Sequence, residues 1–310
     1  MNRLFNFSFA LLVVVALFSC VKKKENNSDE SGTNKKLFIL PKAPMMLTSP
    51  SDRDAFLALH YFDNFDFKDT TLIHLPDVGE QCIIDFIALL PKVSNNLRDS
   101  AIILAFKKAS VELKMYSYFW KTLDRYLNDP NSPVRNEDLY ISTCKSIMKL
   151  PKVDEVITSN AAFNLKQALK NRTGMQAADF RFTLESGKRM WMKELKGKYT
   201  LLFFYEPDCH TCIETKAFMR QSGLLHNLIE SSVITVLAFY PQDDKQLWLQ
   251  RLPECSQDWV NGYDPDGYFT EKQPYDLRAF PTFYLLDKEK KVLLKDAPIE
   301  TILEYLQQNG

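Results

Sequence analysis

From about Thr48 to Lys170 apolar side chains return every three or four residues, the period of an amphipathic helix. Ser51, Asp52, Arg53 and Asp54 open the first predicted helix with a capping residue and early acids, ahead of Phe56, Leu57 and Leu59. Residues 82–90 form an apolar helix stopped by Pro91, and 97–127 is the longest candidate, with Ile102, Ala105, Ala109, Leu113, Tyr116 and Trp120 near helical spacing. Asn128-Asp129-Pro130-Asn131-Ser132-Pro133 then breaks it with turn chemistry. Helices over 137–150 and 154–169 complete an all-helical bundle.

Past Asn171-Arg172-Thr173-Gly174 the period changes. Residues 180–184 alternate like a strand, and Glu185-Ser186-Gly187-Lys188 turns the chain into a second short one. A continuous apolar run over 200–205 has the character of a strand buried on both faces. A helix from Cys209, a strand over 233–240 and a helix around 244–252 follow. Strands over 282–286 and 291–294 flank the charged turn at 287–290, and an amphipathic helix over 299–308 closes the chain. This order predicts an α/β domain with a mixed central sheet, so the chain as a whole reads as a two-domain α+β protein.

Composition supports two domains and removes several functions. The 310 residues are 45% hydrophobic and 13% aromatic, enough for two cores and against overall disorder. Lys+Arg 39 against Asp+Glu 39 leaves a formal charge of +0, without the clustered basic excess of a nucleic-acid binder. Six Cys are too few for a disulfide scaffold, so their placement matters more than their number.

The first of them, Cys20, ends an apolar stretch that begins at Leu4 behind the basic Arg3. The stretch is too short to cross a bilayer and fits a signal peptide over 1–19. Leu17-Phe18-Ser19-Cys20 resembles the lipobox of bacterial lipoproteins, in which the Cys becomes residue one and carries lipid; Phe18 is bulkier than the residue usual there. That resemblance implies a membrane anchor through Cys20 and a localisation in the cell envelope, facing the periplasm. The stretch after Cys20, rich in Lys, Asn, Ser and Glu, cannot bury a core and reads as a tether over 20–45. A helical domain over 46–171 and an α/β domain over 172–310 follow.

The chemistry lies in Cys209-His210-Thr211-Cys212, directly after the strand that ends near Tyr205. A C-x-x-C at a strand-to-helix junction places the first sulfur at a helix N-terminus, where unpaired amides and the dipole favour a thiolate. The second Cys lies one turn on, within reach for a Cys209–Cys212 disulfide. Cys209 would attack a disulfide and Cys212 would resolve the mixed disulfide. Zinc sites use C-x-x-C too, so the spacing alone leaves metal open.

Phe280-Pro281-Thr282, just ahead of a predicted strand, narrows the choice. Together with the C-x-x-C it makes residues 174–310 resemble the thioredoxin superfamily, and within it the membrane-tethered TlpA/ResA-type reductases. Further shared features are the segment 174–180, the Gly187 hairpin, Lys196-Gly197-Lys198 and Leu286-Asp287-Lys288. The resemblance implies a cis-proline at Pro281 facing the Cys pair, with Phe280 and Thr282 in a substrate groove. It also implies protein thiols or disulfides as substrate and an upstream membrane electron donor, with reductase ahead of oxidase or isomerase. The helical half, Asp129-Pro130-Asn131-Ser132-Pro133 included, resembles an uncharacterised domain in lipoproteins of Bacteroidetes-type bacteria, which carries no function with it.

Departures from the superfamily bear on tuning. Glu206-Pro207-Asp208 replaces the small residue and tryptophan usual before the first Cys, and Phe203 stands where a thioredoxin keeps a buried Asp. A proton from Cys212 would then pass to Glu206, Glu214 or water. A protonated His210 would favour the Cys209 thiolate, and Asp208 would oppose it. No metal or other cofactor is called for. Two rival readings stay open: copper handling by the Cys-His-Thr-Cys site, and a binding lipoprotein using the fold as a scaffold. Cys82, Cys144 and Cys255 remain, as a Cys82–Cys144 bridge with one left over or as buried thiols. Core packing is expected of Trp120, Trp191, Trp248 and Trp259, and a surface turn of the aspartates at 63, 66 and 69.

Overall fold

The computed structural model describes residues 38–310 apart from Lys152, so the expected signal peptide, the expected lipidation of Cys20 and most of the expected tether lie outside the described residues. The N-terminal half is helical: α1 (Pro50–His60), α2 (Pro76–Leu89), α3 (Asn95–Ala109), α4 (Leu113–Asn128), α5 (Glu137–Lys149) and α6 (Glu155–Ala168). Ser49, two residues ahead of the predicted opening, caps α1 by accepting from the Asp52 amide.

The single long helix expected over 97–127 is two. Ser110 bonds the Lys107 carbonyl, while Glu112, in extended conformation, accepts from the Lys114 amide. Such local side-chain bonds compete with the helical ladder, and they let α4 fold back until Tyr116 meets Phe106 edge-on at 5.5 Å. Beneath them Phe62, Phe65, Phe67, Phe86 and Phe119 form one aromatic cluster. The acids between these rings face outward: Asp66 accepts from the Lys68 amide and Asp69 caps the short 3-10 turn Thr70–His74. Cys82 and Cys144 are buried free thiols, the second of the two alternatives left open by the sequence; Cys82 donates to the Gly79 carbonyl within its own helix.

The C-terminal half holds β1 (Arg181–Thr183), β2 (Arg189–Trp191), β3 (Tyr199–Phe204), α7 (His210–Gln221), α8 (Gly223–Glu230), β4 (Ile234–Tyr240), α9 (Lys245–Arg251), β5 (Val260–Tyr263), α10 (Tyr268–Lys272), β6 (Thr282–Leu286), β7 (Val292–Lys295) and α11 (Ile299–Asn309). The sheet order is β2-β1-β5-β4-β3-β6-β7. β3 runs parallel to β4 and antiparallel to β6, so the sheet is mixed. Every residue of β3 is buried, as the unbroken apolar run requires. β5, α8 and α10 were not foreseen. β5 is the short run Val-Asn-Gly-Tyr, and its Gly262 lies so close to Phe182 that a Cβ would approach that ring to 2.5 Å. Trp191 breaks the expectation of core packing: on the edge strand β2 it stays exposed between Arg181 and Lys193. The other three tryptophans are buried.

The two halves interlock. Lys295 at the end of β7 donates to the carbonyls of Ala168 (2.9 Å), the last residue of α6, and of Lys170 (2.8 Å) just past it, and pairs with Glu137 at the head of α5. Arg135 pairs with Asp296, and Asn171 donates to the Pro274 carbonyl at 3.0 Å.

Candidate functional site

β3 delivers the chain to the end of the sheet at which its C-terminus emerges, and α7 starts there with Cys209 as its N-cap. The Cys209 sulfur accepts from the Cys212 amide at 3.4 Å, as an N-cap side chain does. Cys209 is half-buried and Cys212 fully buried, and both are free thiols. The order of exposure suits an outer sulfur that meets a partner and an inner one that follows. Burial pushes the Cys212 thiol well above its ordinary value, and the neighbouring Cys209 sulfur adds to this; the Glu206 backbone amide and the Lys216 charge oppose it.

The Phe280–Pro281 peptide bond is cis, and the Phe280 carbonyl lies 3.6 Å from the Cys209 sulfur, within reach of its thiol proton. Thus Pro281 and the Cys pair, far apart in sequence, meet at one end of the sheet. Thr282 is different. It is buried in β6, and its hydroxyl donates to the Ala279 carbonyl at 2.6 Å, so its side chain does not line a groove. His210 projects into solvent with its side chain 86% exposed and lies 3.2 Å from Glu214, one turn along α7. Its Nε2 is turned to that acid.

Asp208 stands at the head of a row of charges that sequence reading missed. The Arg251 guanidinium reaches Asp208 at 2.9 Å and Glu254 at 3.1 Å; Glu254 in turn meets the Lys216 ammonium at 2.5 Å. The Lys216 side chain is 1% exposed and lies 5.0 Å from the centre of the Tyr205 ring. Lys216 follows Cys212 by four residues on α7, so it sits one turn beneath the inner sulfur. That i,i+4 spacing was visible in the sequence; the burial that gives it meaning was not.

Glu206 accepts from the Gln242 amide at 3.0 Å, and Tyr240 supports the same carboxylate. Burial, and then the nearby Asp208 charge, raise its carboxyl above the ordinary value. Phe203, in the place of a thioredoxin's acid, is packed between Phe283 (4.9 Å) and Tyr205 (5.3 Å). An aromatic floor therefore lies under the pair, and any proton acceptor must come from the rim. Cys255 is a buried thiol beside the Tyr205 hydroxyl. Among the described residues no group of three or more His, Cys, Asp and Glu side chains is placed to hold a metal ion.

Comparison with known proteins agrees with this architecture. A crystallised thioredoxin-like protein from Bacteroides caccae is 39% identical, superposes with a TM-score of 0.79, and is matched over 89% of this chain and 99% of its own. The chain belongs to the thioredoxin-like proteins. Within this thioredoxin-like chain, residues 19–171 match the model of a domain of unknown function, DUF5106. The C-terminal domain of an uncharacterised protein from Bacteroides fragilis is 38% identical over 44% of this chain and 98% of its own, with a TM-score of 0.43. The thioredoxin domain of a thiol-disulfide oxidoreductase from Bacteroides vulgatus is 19% identical over 44% of this chain and 97% of its own, with a TM-score of 0.40. No curated protein matches.

Proposed function

We propose that this thioredoxin-like chain is a thiol–disulfide oxidoreductase acting on cysteines of other proteins outside the cytoplasm, tethered by a lipid on Cys20. The observation that carries the activity is the stacking of a half-buried Cys209 over a buried Cys212 at a helix N-terminus, with the Phe280 carbonyl beside the outer sulfur. In the reductase direction the Cys209 thiolate attacks one sulfur of a substrate disulfide. A mixed disulfide forms, and the other substrate sulfur leaves as a thiolate and takes up a proton. Cys212 then loses its proton and attacks the Cys209 sulfur. The second substrate thiol departs, and two electrons have passed from the pair to the substrate. Glu206 is the acceptor we assign for the Cys212 proton, because its backbone amide faces that sulfur and burial raises its carboxyl above the ordinary value. An upstream membrane electron donor would restore the dithiol.

The anchor rests on the apolar stretch ending at Cys20; among the described residues no helix is long and apolar enough to cross a membrane. The reductase direction rests on the resemblance to TlpA/ResA-type reductases. The test is a redox titration of the Cys209–Cys212 pair by alkylation and mass measurement, beside a trapping experiment with Cys212→Ser. A potential near about −270 mV supports a reductant, and one near about −120 mV assigns an oxidant instead. Failure of Cys212→Ser to accumulate a mixed disulfide at Cys209 with any protein substrate overturns the reading.

A further inference from the structure

A cleft of about 340 Å³ opens between α6 of the helical half and the segment 268–280 of the thioredoxin-like half. Its volume falls within the usual range for binding sites, roughly 300–1,000 Å³. One end is formed by Phe280, whose carbonyl faces the reactive Cys209 sulfur, and by Gln242, which holds Glu206. The cleft therefore begins where a bound disulfide would sit.

Its walls have an unusual chemistry. Five carboxamides, Asn128, Asn164, Gln167, Gln242 and Gln273, face it from both halves of the chain. Asn164 gives its amide protons to the Tyr140 hydroxyl and Gln242 gives one to Glu206, and among the described residues the carbonyl oxygen of each has no donor. At the floor, Asp276 is buried, and its Oδ2 accepts no hydrogen bond; the Arg278 guanidinium lies 2.9 Å away, neutralising the charge without hydrogen-bonding alignment. The other three carboxamide oxygens are engaged within the chain: Asn128 accepts from Arg278, Gln167 from Lys170 and Gln273 from Gln167. On the rim, Phe163 stands 55% exposed on α6. The cleft thus offers two open amide oxygens, little net charge and one apolar perch.

We propose that this cleft holds the extended polypeptide segment flanking the substrate cysteine, so that the helical half reads the partner while the thioredoxin-like half performs the exchange. This rests on the oxidoreductase reading above. Main-chain N–H groups of the segment bond the open Asn164 and Gln242 oxygens, and an apolar side chain of the segment covers Phe163. An extended peptide fits because its donors repeat along its length, whereas a phosphate or other polyanion would meet acceptors.

The test compares two substrates in kinetic assays on the full chain: 2-hydroxyethyl disulfide, which is too short to reach from the Cys209 sulfur along the cleft, and a ten-residue apolar peptide bearing one cysteine capped by glutathione. Phe163→Ser and Asn164→Leu are expected to lower kcat/KM for the peptide about tenfold while leaving the small disulfide unchanged. With Cys212→Ser, the trapped peptide complex is expected to slow amide hydrogen exchange in residues 163–167 and 273–278, which the small-disulfide adduct does not do. Equal kcat/KM losses for both substrates, or no loss with the peptide, overturn the cleft assignment and leave the oxidoreductase reading intact. No exchange by the unaltered chain with 2-hydroxyethyl disulfide overturns both.

Discussion

Lys295 and Glu137 join the last strand to the head of α5: Nζ lies 2.5 Å from Oε2, with the lysine side chain 7% exposed. The same ammonium closes the end of α6 through the carbonyls of Ala168 and Lys170. Three acceptors from the helical half thus converge on one cation of the thioredoxin-like half. Burial lowers the Lys295 pKa, and Glu137 partly restores it.

Lys295→Met is therefore expected to destabilise the chain by about 2–4 kcal/mol, since it leaves a carboxylate and two carbonyls short of a donor. Calorimetry should show one transition in the unaltered chain and two in the variant, as the halves lose their shared contact. A single unshifted transition would show that the lock contributes nothing.

Cys209 should be the cysteine that reacts in the folded chain. Burial pushes the Cys82 and Cys144 thiols up to about 12, and raises Cys212 and Cys255 as well. Brief treatment with iodoacetamide at neutral pH is expected to label Cys209, leaving the other four described cysteines for labelling after denaturation. Peptide mapping checks the order.

Glu206→Gln should separate stability from turnover. The folded chain holds the Glu206 proton more tightly than the unfolded chain does. Between the ordinary carboxylate value and the raised one the folded state binds more protons, so stability falls as pH rises through that window. The variant should accordingly be more stable than the parent at pH 7 and equal to it well below pH 4. Its exchange rate should drop by about a hundredfold, with the acid limb of the pH profile gone. Denaturant melts at two pH values and a rate profile measure both halves of this expectation.

Lys216→Met removes the buried cation one turn below Cys212. That charge favours the Cys212 thiolate that must form when the mixed disulfide is resolved. The variant should therefore resolve more slowly and accumulate the mixed disulfide at Cys209 several-fold over the parent, read by mass after alkylation. Glu254 keeps Arg251 and some solvent, so the stability loss should be about 2 kcal/mol, below the 3–5 of a fully buried pair.

Much of this was legible in the chain itself where a periodic pattern ran long. The unbroken apolar run of β3, the turn at Gly187 and the terminal amphipathic helix each carry their signal locally. The split between α3 and α4 was hidden because Val111 continues the apolar spacing, while the break comes from two side chains that bond backbone nearby. β5 was hidden because Asn261 and Gly262 are poor strand formers, and tertiary packing on Phe182 overrides them. At the site, Cys209, Cys212 and Pro281 are read from motif and resemblance. Lys216, Arg251 and Glu254 form a row only when α7 and α9 are packed, and no linear pattern announces it. Thr282 shows the converse: adjacency to Pro281 in sequence says nothing about which way a strand residue points.

Acids and bases alternate along Asp208, Arg251, Glu254 and Lys216, so the row carries no net charge, and its far field cancels. An approaching protein feels little pull or push from it, whether that protein is acidic or basic, and arrival is left to unbiased diffusion. Raising the ionic strength should therefore leave capture rates almost unchanged. Choice among partners then falls to the moment after collision, when shape decides which encounters last long enough for sulfur to meet sulfur.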